Sequence, residues 1–287
     1  MKLRGLNDIE LLLSKLDKQQ LCDFIRVECA NDRHFQQRFL ALGTGILSSP
    51  KLSDYHARIL DIIEDFGDRH GYVEYSKTFR LNRAICQIID EADVAIQNYQ
   101  WDVAQVILDS IATSGEDILY CGDDSAGELG DILHYCFQKW HELSSDELLP
   151  EGKKSELFEL SLSHFADGCL KEFDWWWEWI QMAIQLADDE KKQERIIQEL
   201  DKVINIKGDE WEVNYNRQAA QRHKLEIMSR CGAPEEQFKF MYENVSNPDF
   251  RRRLLQMAWD RGDYKEVLRL AVDGATHDSD YAGLVND

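Results

Sequence analysis

Residues 76–119 read SKTFRLNRAICQIIDEADVAIQNYQWDVAQVILDSIATSGEDIL, and this stretch decides the fold class. Apolar residues recur at the 3.6-residue period on both sides of the turn Asn98-Tyr99-Gln100. Two long helices joined by so short a turn lie side by side and run in opposite directions. The stretch therefore predicts an antiparallel helix hairpin, with helices over about 76–98 and 101–119.

The rest of the chain repeats this pattern. It contains few helix breakers, with 4 prolines and 16 glycines in 287 residues, and it lacks runs of alternating Val, Ile and Thr. We count about fourteen helical segments, most of them joined by about two to seven residues. This rhythm predicts an all-α protein in which antiparallel helix pairs stack as a tetratricopeptide-like α-solenoid.

Two turns share an internal similarity. In residues 98–107 and 261–270 a short turn precedes an aromatic residue, Trp101 or Tyr264, and an apolar helix follows. An aromatic side chain at such a turn wedges against the preceding helix of the pair. We predict an N-terminal cap of short helices over 1–50 and a helical-repeat solenoid over 51–287.

The net charge of −21 limits the choice of partner. Most of the excess acid lies in residues 101–210, which carry 26 acidic and 9 basic residues. Such a field repels nucleic acid, whose phosphates are bound by Lys and Arg. We therefore expect a protein partner with a basic patch and no direct nucleic-acid binding. A solubilising role for the acidic residues is the alternative.

The cellular compartment is predicted from the apolar stretches, the N-terminal residues and the cysteines. No stretch approaches the roughly 18 apolar residues that a membrane span needs, and the acidic start is unlike a signal peptide. The seven cysteines are an odd number and mostly lie in apolar helical patterns, so we predict reduced core thiols. We expect a cytoplasmic protein that does not bind membranes.

The first candidate site is an acidic helix start, which we define as residues 121–131. Its candidate partner-binding residues are Asp123, Asp124, Glu128 and Asp131. The alternative is structural, because Asp124 or Ser125 is well placed to cap the helix, and acids in a first turn favour the helix dipole.

The second candidate site is a tryptophan segment, which we define as residues 171–180. Trp175, Trp176, Trp177 and Trp179 point around most of one helix, so at least one should be partly exposed. Exposed tryptophan is enriched at binding hot spots, which predicts partner contact. In the alternative, Trp175 and Trp179 pack inward while Trp176 lies flat on the surface.

Motifs for catalysis do not occur in the sequence. There is no GxSxG, Walker A, dinucleotide glycine fingerprint or HExxH, and we predict no catalytic residue, cofactor or metal. The leading function is a non-catalytic interaction scaffold or adaptor. Two alternatives stay open. One is a metal-dependent helical enzyme or effector with a carboxylate site, and the other is an acidic nucleic-acid mimic that inhibits a DNA-binding protein.

Four stretches carry a resemblance to a known family: residues 13–21 leading to 35–40, residues 71–75, residues 123–133 and residues 259–264. Together they resemble the helical region that follows the zinc-binding motif of bacterial SWIM zinc-finger proteins, over most of the chain. The resemblance implies a bacterial helical-repeat module. That zinc motif needs Cys-x-Cys followed by Cys-x-His, which this sequence lacks, so zinc binding is not implied.

Overall fold

The structure is a computed structural model that describes residues 14–31, 51–208, 210–231 and 234–277. These residues form thirteen α-helices and no β-strand, which confirms the predicted all-α class. Tertiary contacts divide the chain into two compact units, with the boundary in the sequence between Leu149 and Pro150. Most of the predicted cap over 1–50 lies outside the described residues, and that domain boundary stays a prediction.

Six described helices belong to the first unit. They are α1 (Lys18–Asn31), α2 (Leu52–Phe66), α3 (Tyr75–Gln97), α4 (Trp101–Thr113), α5 (Gly115–Tyr120) and α6 (Glu128–Ser145). The second unit holds seven: α7 (Glu151–Asp167), α8 (Trp176–Leu186), α9 (Glu190–Ile204), α10 (Trp211–Cys231), α11 (Pro234–Glu243), α12 (Pro248–Asp260) and α13 (Tyr264–His277).

Helix α4 is the centre of the first unit. It packs against α2, α3, α5 and α6, so most of its circumference is covered. Its sequence WDVAQVILDSIAT combines large aliphatic residues with Ala and Ser, which allow neighbouring helices to approach closely. Ile107, Leu108 and Ile111 are fully buried there. A helix apolar on most sides is typical of a central position.

Helix α8 has the same place in the second unit, where it packs against α7, α9 and α10. Eight of its eleven residues are buried: Trp176, Trp177, Trp179, Ile180, Met182, Ala183, Ile184 and Leu186. A further apolar cluster around Phe250 and Leu254 extends the core toward α13, which contributes Leu270. Each unit therefore has one helix whose neighbours cover several of its faces.

The two similar turns share their hydrogen bonds. The amide of Gln100 donates to the carbonyl of Ala95 at 2.8 Å, and the amide of Asp263 donates to the carbonyl of Ala258 at 3.0 Å. Both are the six-to-one bond of a Schellman C-cap, and the residue before each amide has the positive φ that this cap requires. The similarity read from the sequence thus corresponds to one backbone geometry used in both units.

Two predicted helices end earlier than expected. The helix predicted over 101–119 is interrupted at Ser114, whose hydroxyl is buried and lies 3.5 Å from the His56 ring. The apolar pattern over 153–173 predicts one helix, but that helix ends at Asp167 because Gly168 adopts a left-handed conformation with φ of 78°. Residues 168–175 are consequently a loop, and this loop carries one wall of the site described next.

Candidate functional site

The buried part of the tryptophan segment belongs to the core. The Trp176 ring stacks on Phe165 at 4.4 Å between centroids, and its Nε1 donates to the Phe165 carbonyl at 2.9 Å. The Trp179 ring lies 4.4 Å from that of His164. Trp176 and Trp179 thereby hold α8 against α7, and neither is available to a partner at the surface.

Trp177 covers another side of the same helix. Its ring stacks on that of His223 in α10, with centroids 5.4 Å apart and planes 21° apart. Burial lowers the pKa of His223, because desolvation disfavours the imidazolium more than the nearby Glu226 carboxylate favours it. A neutral ring at this interface suits a core contact.

These positions correct two expectations. Trp176 was placed flat on the surface in the structural alternative, but its exposure is 4%. Trp176, Trp177 and Trp179 are partner-binding candidates because four indoles cannot all face one core, but all three are buried, since α8 has neighbours on several sides. Trp175 alone among the four is partly exposed, which agrees with the expectation that at least one would be.

A groove of about 920 Å³ opens beside Trp175 within the second unit. One wall is the loop before α8, and the other is the first turns of α10. The lining residues are Lys171, Glu172, Phe173, Asp174, Trp175, Trp177, Trp211, Glu212, Tyr215 and Asn216. Half of them are aromatic, and three carry a carboxylate.

An aromatic pair forms the α10 wall. Trp211 and Tyr215 are four residues apart on the helix, and their rings are nearly parallel, with centroids 5.3 Å and planes 17° apart. Trp211 is 78% exposed, the highest value among the exposed large hydrophobic residues that the structure describes. Since Tyr215 occupies one face of the indole, this exposure leaves the other face open to solvent.

Local hydrogen bonds position both walls. In the loop before α8, the amide of Cys169 donates to the carbonyl of His164 at 2.9 Å, and Leu170 is buried in a left-handed conformation with φ of 62°. Before α10, the Arg217 guanidinium donates to the carbonyls of Ile206 and Gly208 at 2.7 and 3.0 Å. The buried leucine and the guanidinium fix the two segments from which the groove residues project.

One hydrogen bond joins the two walls. The Tyr215 hydroxyl donates to a carboxylate oxygen of Asp174 at 2.9 Å. This bond to Asp174, together with partial burial, raises the pKa of Tyr215, because the phenolate would be placed beside a negative charge. The bond thus connects the loop before α8 to the start of α10.

The acidic helix start lies in the first unit and is largely structural. Asp124 accepts hydrogen bonds from the amides of Leu129 at 2.7 Å and Gly130 at 3.1 Å, so it caps α6. Asp123 accepts from the amide of Ser125 at 2.9 Å and from its hydroxyl, and these bonds lower the pKa of Asp123. The predicted cap is therefore confirmed at Asp124.

The other two acidic candidates differ in exposure. Glu128 is half-buried, and its carbonyl accepts a hydrogen bond from the Asn82 amide group at 2.6 Å. Asp131 is exposed at the surface of α6. The four acids of this region and the tryptophan segment belong to different compact units. A role for the acids in partner binding stays a prediction.

Several other expectations concern metals, membranes and thiols. Among the described residues, no three His, Cys, Asp or Glu side chains are grouped so that they could hold a metal ion. No helix in the described ranges is long and apolar enough to cross a membrane. Six cysteines are described as free thiols, and two of them, Cys121 and Cys136, are buried.

Sequence reasoning missed Trp211, Glu212 and Tyr215. A signal for them was present, because two aromatic residues four positions apart at the start of a largely polar helix lie on the same face. The bond between Asp174 and Tyr215 joins residues 41 positions apart, so no local sequence pattern indicates it.

None of the protein-family models, curated proteins or solved structures compared with this chain matches it. What the chain does is therefore inferred from its own geometry. The resemblance to SWIM zinc-finger proteins stays a prediction.

Proposed function

We propose that this chain is a non-catalytic, cytoplasmic protein-interaction scaffold or adaptor that receives a basic segment of a partner protein. The observation that carries the proposal is the groove of about 920 Å³ between the loop before α8 and the start of α10. Its volume lies near the upper end of the roughly 300–1,000 Å³ range of ligand sites. Aromatic walls with carboxylates suit a segment that offers both apolar area and positive charge.

The fold supports this role. In the first unit α2 packs on α3 and α4, α3 packs on α4 and α6, and α4 packs on α6. Stacked helix pairs produce this kind of pattern, and in the second unit successive helices also pack on one another. We propose that both units are built from tetratricopeptide-like helix pairs, an architecture that presents concave binding surfaces.

The charge of the chain supports a basic partner. Acidic side chains speed encounter with a basic surface, and the aromatic groove supplies affinity once contact is made. Charge reversal at Asp123, Asp124, Glu128 and Asp131 together tests whether the acidic helix start takes part. Unchanged association rates would remove that region from the binding surface.

Quantitative affinity capture from a bacterial lysate, followed by rebinding of each captured protein in purified form, tests the proposed function. The groove variant is Trp175→Ala/Trp211→Ala, and the matched control is Trp259→Ala/Tyr264→Ala, an aromatic pair of the same unit with exposures of 57% and 65%. We expect a purified partner to bind the wild type and the control and to lose binding to the groove variant. Equal binding to both variants would contradict a role for the groove.

A further inference from the structure

The groove contains the two groups that commonly bind an arginine side chain, an exposed aromatic ring and carboxylates. We propose that its preferred occupant is an arginine side chain of an extended basic segment, with the guanidinium stacked on Trp211 and paired with Asp174 or Glu212. This inference rests on the proposed function and specifies the chemistry of the partner. It follows from three features of the second unit: an open ring face, two carboxylates that form no ion pair with a described Lys or Arg, and an internal example of the same contact.

The open ring face belongs to Trp211. Tyr215 stacks on one side of the indole, and the 78% exposure of Trp211 leaves the other side to solvent. A guanidinium is planar and more weakly hydrated than an ammonium, so it stacks on such a face at a lower desolvation cost than lysine does.

The carboxylates of Asp174 and Glu212 lie in the same groove. Asp174 accepts a hydrogen bond from Tyr215, and neither Asp174 nor Glu212 has an ion pair with a described Lys or Arg. The one basic residue in the lining, Lys171, extends over the Trp176 ring at 5.5 Å from its centroid. The charge of the groove is therefore complementary to a cationic ligand.

Arg195 shows how the chain itself fills such an arrangement. Its guanidinium lies over the Phe158 ring at 5.3 Å and donates through both terminal nitrogens to the Glu159 carboxylate. Ring and carboxylate there come from α7 and the arginine from α9. The groove offers a ring and carboxylates in the same way, and none of its described lining residues is an arginine.

The alternative occupant is a single small cation, such as a methylated ammonium held by aromatic rings. A groove of about 920 Å³ is too large to enclose one such group, and its walls come from two separate segments, the loop before α8 and the start of α10. An extended segment fills that space better because its backbone and neighbouring side chains occupy the remainder.

The test uses the full chain and three blocked nine-residue peptides of identical Gly and Ser spacing, which carry three arginines, three lysines or three citrullines. Isothermal titration calorimetry gives the affinities at low and moderate salt. We expect the arginine peptide to bind about fivefold more tightly than the lysine peptide. The citrulline peptide, isosteric but neutral, should bind at least about tenfold more weakly than the arginine peptide.

Three variants locate the contact. Trp211→Ala should abolish the preference for arginine over lysine, since it removes the stacking face. Asp174→Asn should weaken the arginine peptide and reduce its salt dependence, whereas the control Trp259→Ala should leave all three affinities unchanged. Far-UV and near-UV circular dichroism confirm that each variant is folded.

The outcomes separate this inference from the proposed function. Equal affinity for the arginine and lysine peptides, or an arginine preference that survives Trp211→Ala, would overturn the inference. If purified partners still depended on the groove in the capture experiment, the proposed function would stand without it. Binding that the groove substitutions leave unchanged in both experiments would overturn both the inference and the proposed function.

Discussion

The acidic helix start and the tryptophan segment both suggest a binding surface from sequence, but they serve the fold in different ways. At the acidic helix start one carboxylate, that of Asp124, bonds the first amides of α6. In the tryptophan segment three indoles fill the space around α8, while Trp175 and Asp174 reach the groove. Neighbouring tryptophans in the sequence therefore lie either in the core or in the groove, depending on which helices surround them.

The largest expected effect separates the core indoles from the groove indoles. Trp179→Ala should lower the free energy of unfolding by about 3–5 kcal/mol, because it empties a fully buried site of α8. Trp175→Ala, four residues away, should cost less than about 1 kcal/mol, because its indole is only half-buried. Urea unfolding followed by near-UV circular dichroism measures both changes, and similar losses would contradict the division.

The next effect tests the loop at the beginning of the acidic helix start, which contains Gly122. The backbone of Gly122 pairs with that of Val73, and a Cβ at Gly122 would lie 2.5 Å from the Val73 carbonyl oxygen. Gly122→Ala should therefore lower the free energy of unfolding by about 1–3 kcal/mol, because backbone must move.

Gly152→Ala in α7 is the matched control for that substitution. A Cβ at Gly152 meets no atom within 4 Å. Alanine there should raise the free energy of unfolding by about 0.5–1 kcal/mol through its helix propensity. Equal effects of the two substitutions in urea unfolding would mean that the Val73–Gly122 contact does not hold the two loops together.

A smaller effect distinguishes the capping acid from its neighbours. Asp124→Ala should lower the free energy of unfolding by about 1 kcal/mol, and Asp124→Asn should retain most of the stability because its side-chain oxygen still accepts from the amides. Asp131→Ala, at an exposed site of the same helix, should cost only a few tenths of a kcal/mol. Thermal unfolding of the three variants checks this order.

The smallest effect concerns one proton in the groove. The hydrogen bond from Tyr215 to Asp174 raises the pKa of Tyr215, so Asp174→Asn should lower that pKa toward its ordinary value near 10. Wild-type stability from this bond should be fully present below about pH 10 and be lost as the pH rises through the elevated pKa. A ¹³C-tyrosine NMR titration follows Tyr215, and an unchanged pKa in the variant would argue against the bond.

Much of the fold could be predicted from the sequence. The apolar period defined most helices to within a few residues, and the turn similarity between residues 98–107 and 261–270 corresponds to one shared cap geometry. The wrong predictions concern two helix ends, which the apolar pattern alone does not indicate. Ser114 divides one predicted helix, and Gly168 ends another.

The candidate site could be predicted only in part. The sequence indicated that one indole of the tryptophan segment would be exposed, and Trp175 is partly exposed. It could not indicate the opposite wall, since Trp211 and Tyr215 lie in a helix that begins 35 residues after α8 does. Which face of a helix is covered depends on packing between segments distant in the chain.

By itself the sequence determined the helical class, the positions of most turns and the negative charge, because these follow from local backbone preferences and composition. Only the tertiary structure decided which tryptophans are core and which line a groove. It decided as well that Asp124 bonds backbone amides while Asp174 faces an open aromatic wall. The physical reason is that burial and charge pairing are properties of neighbours in space, and helix packing alone brings those neighbours together.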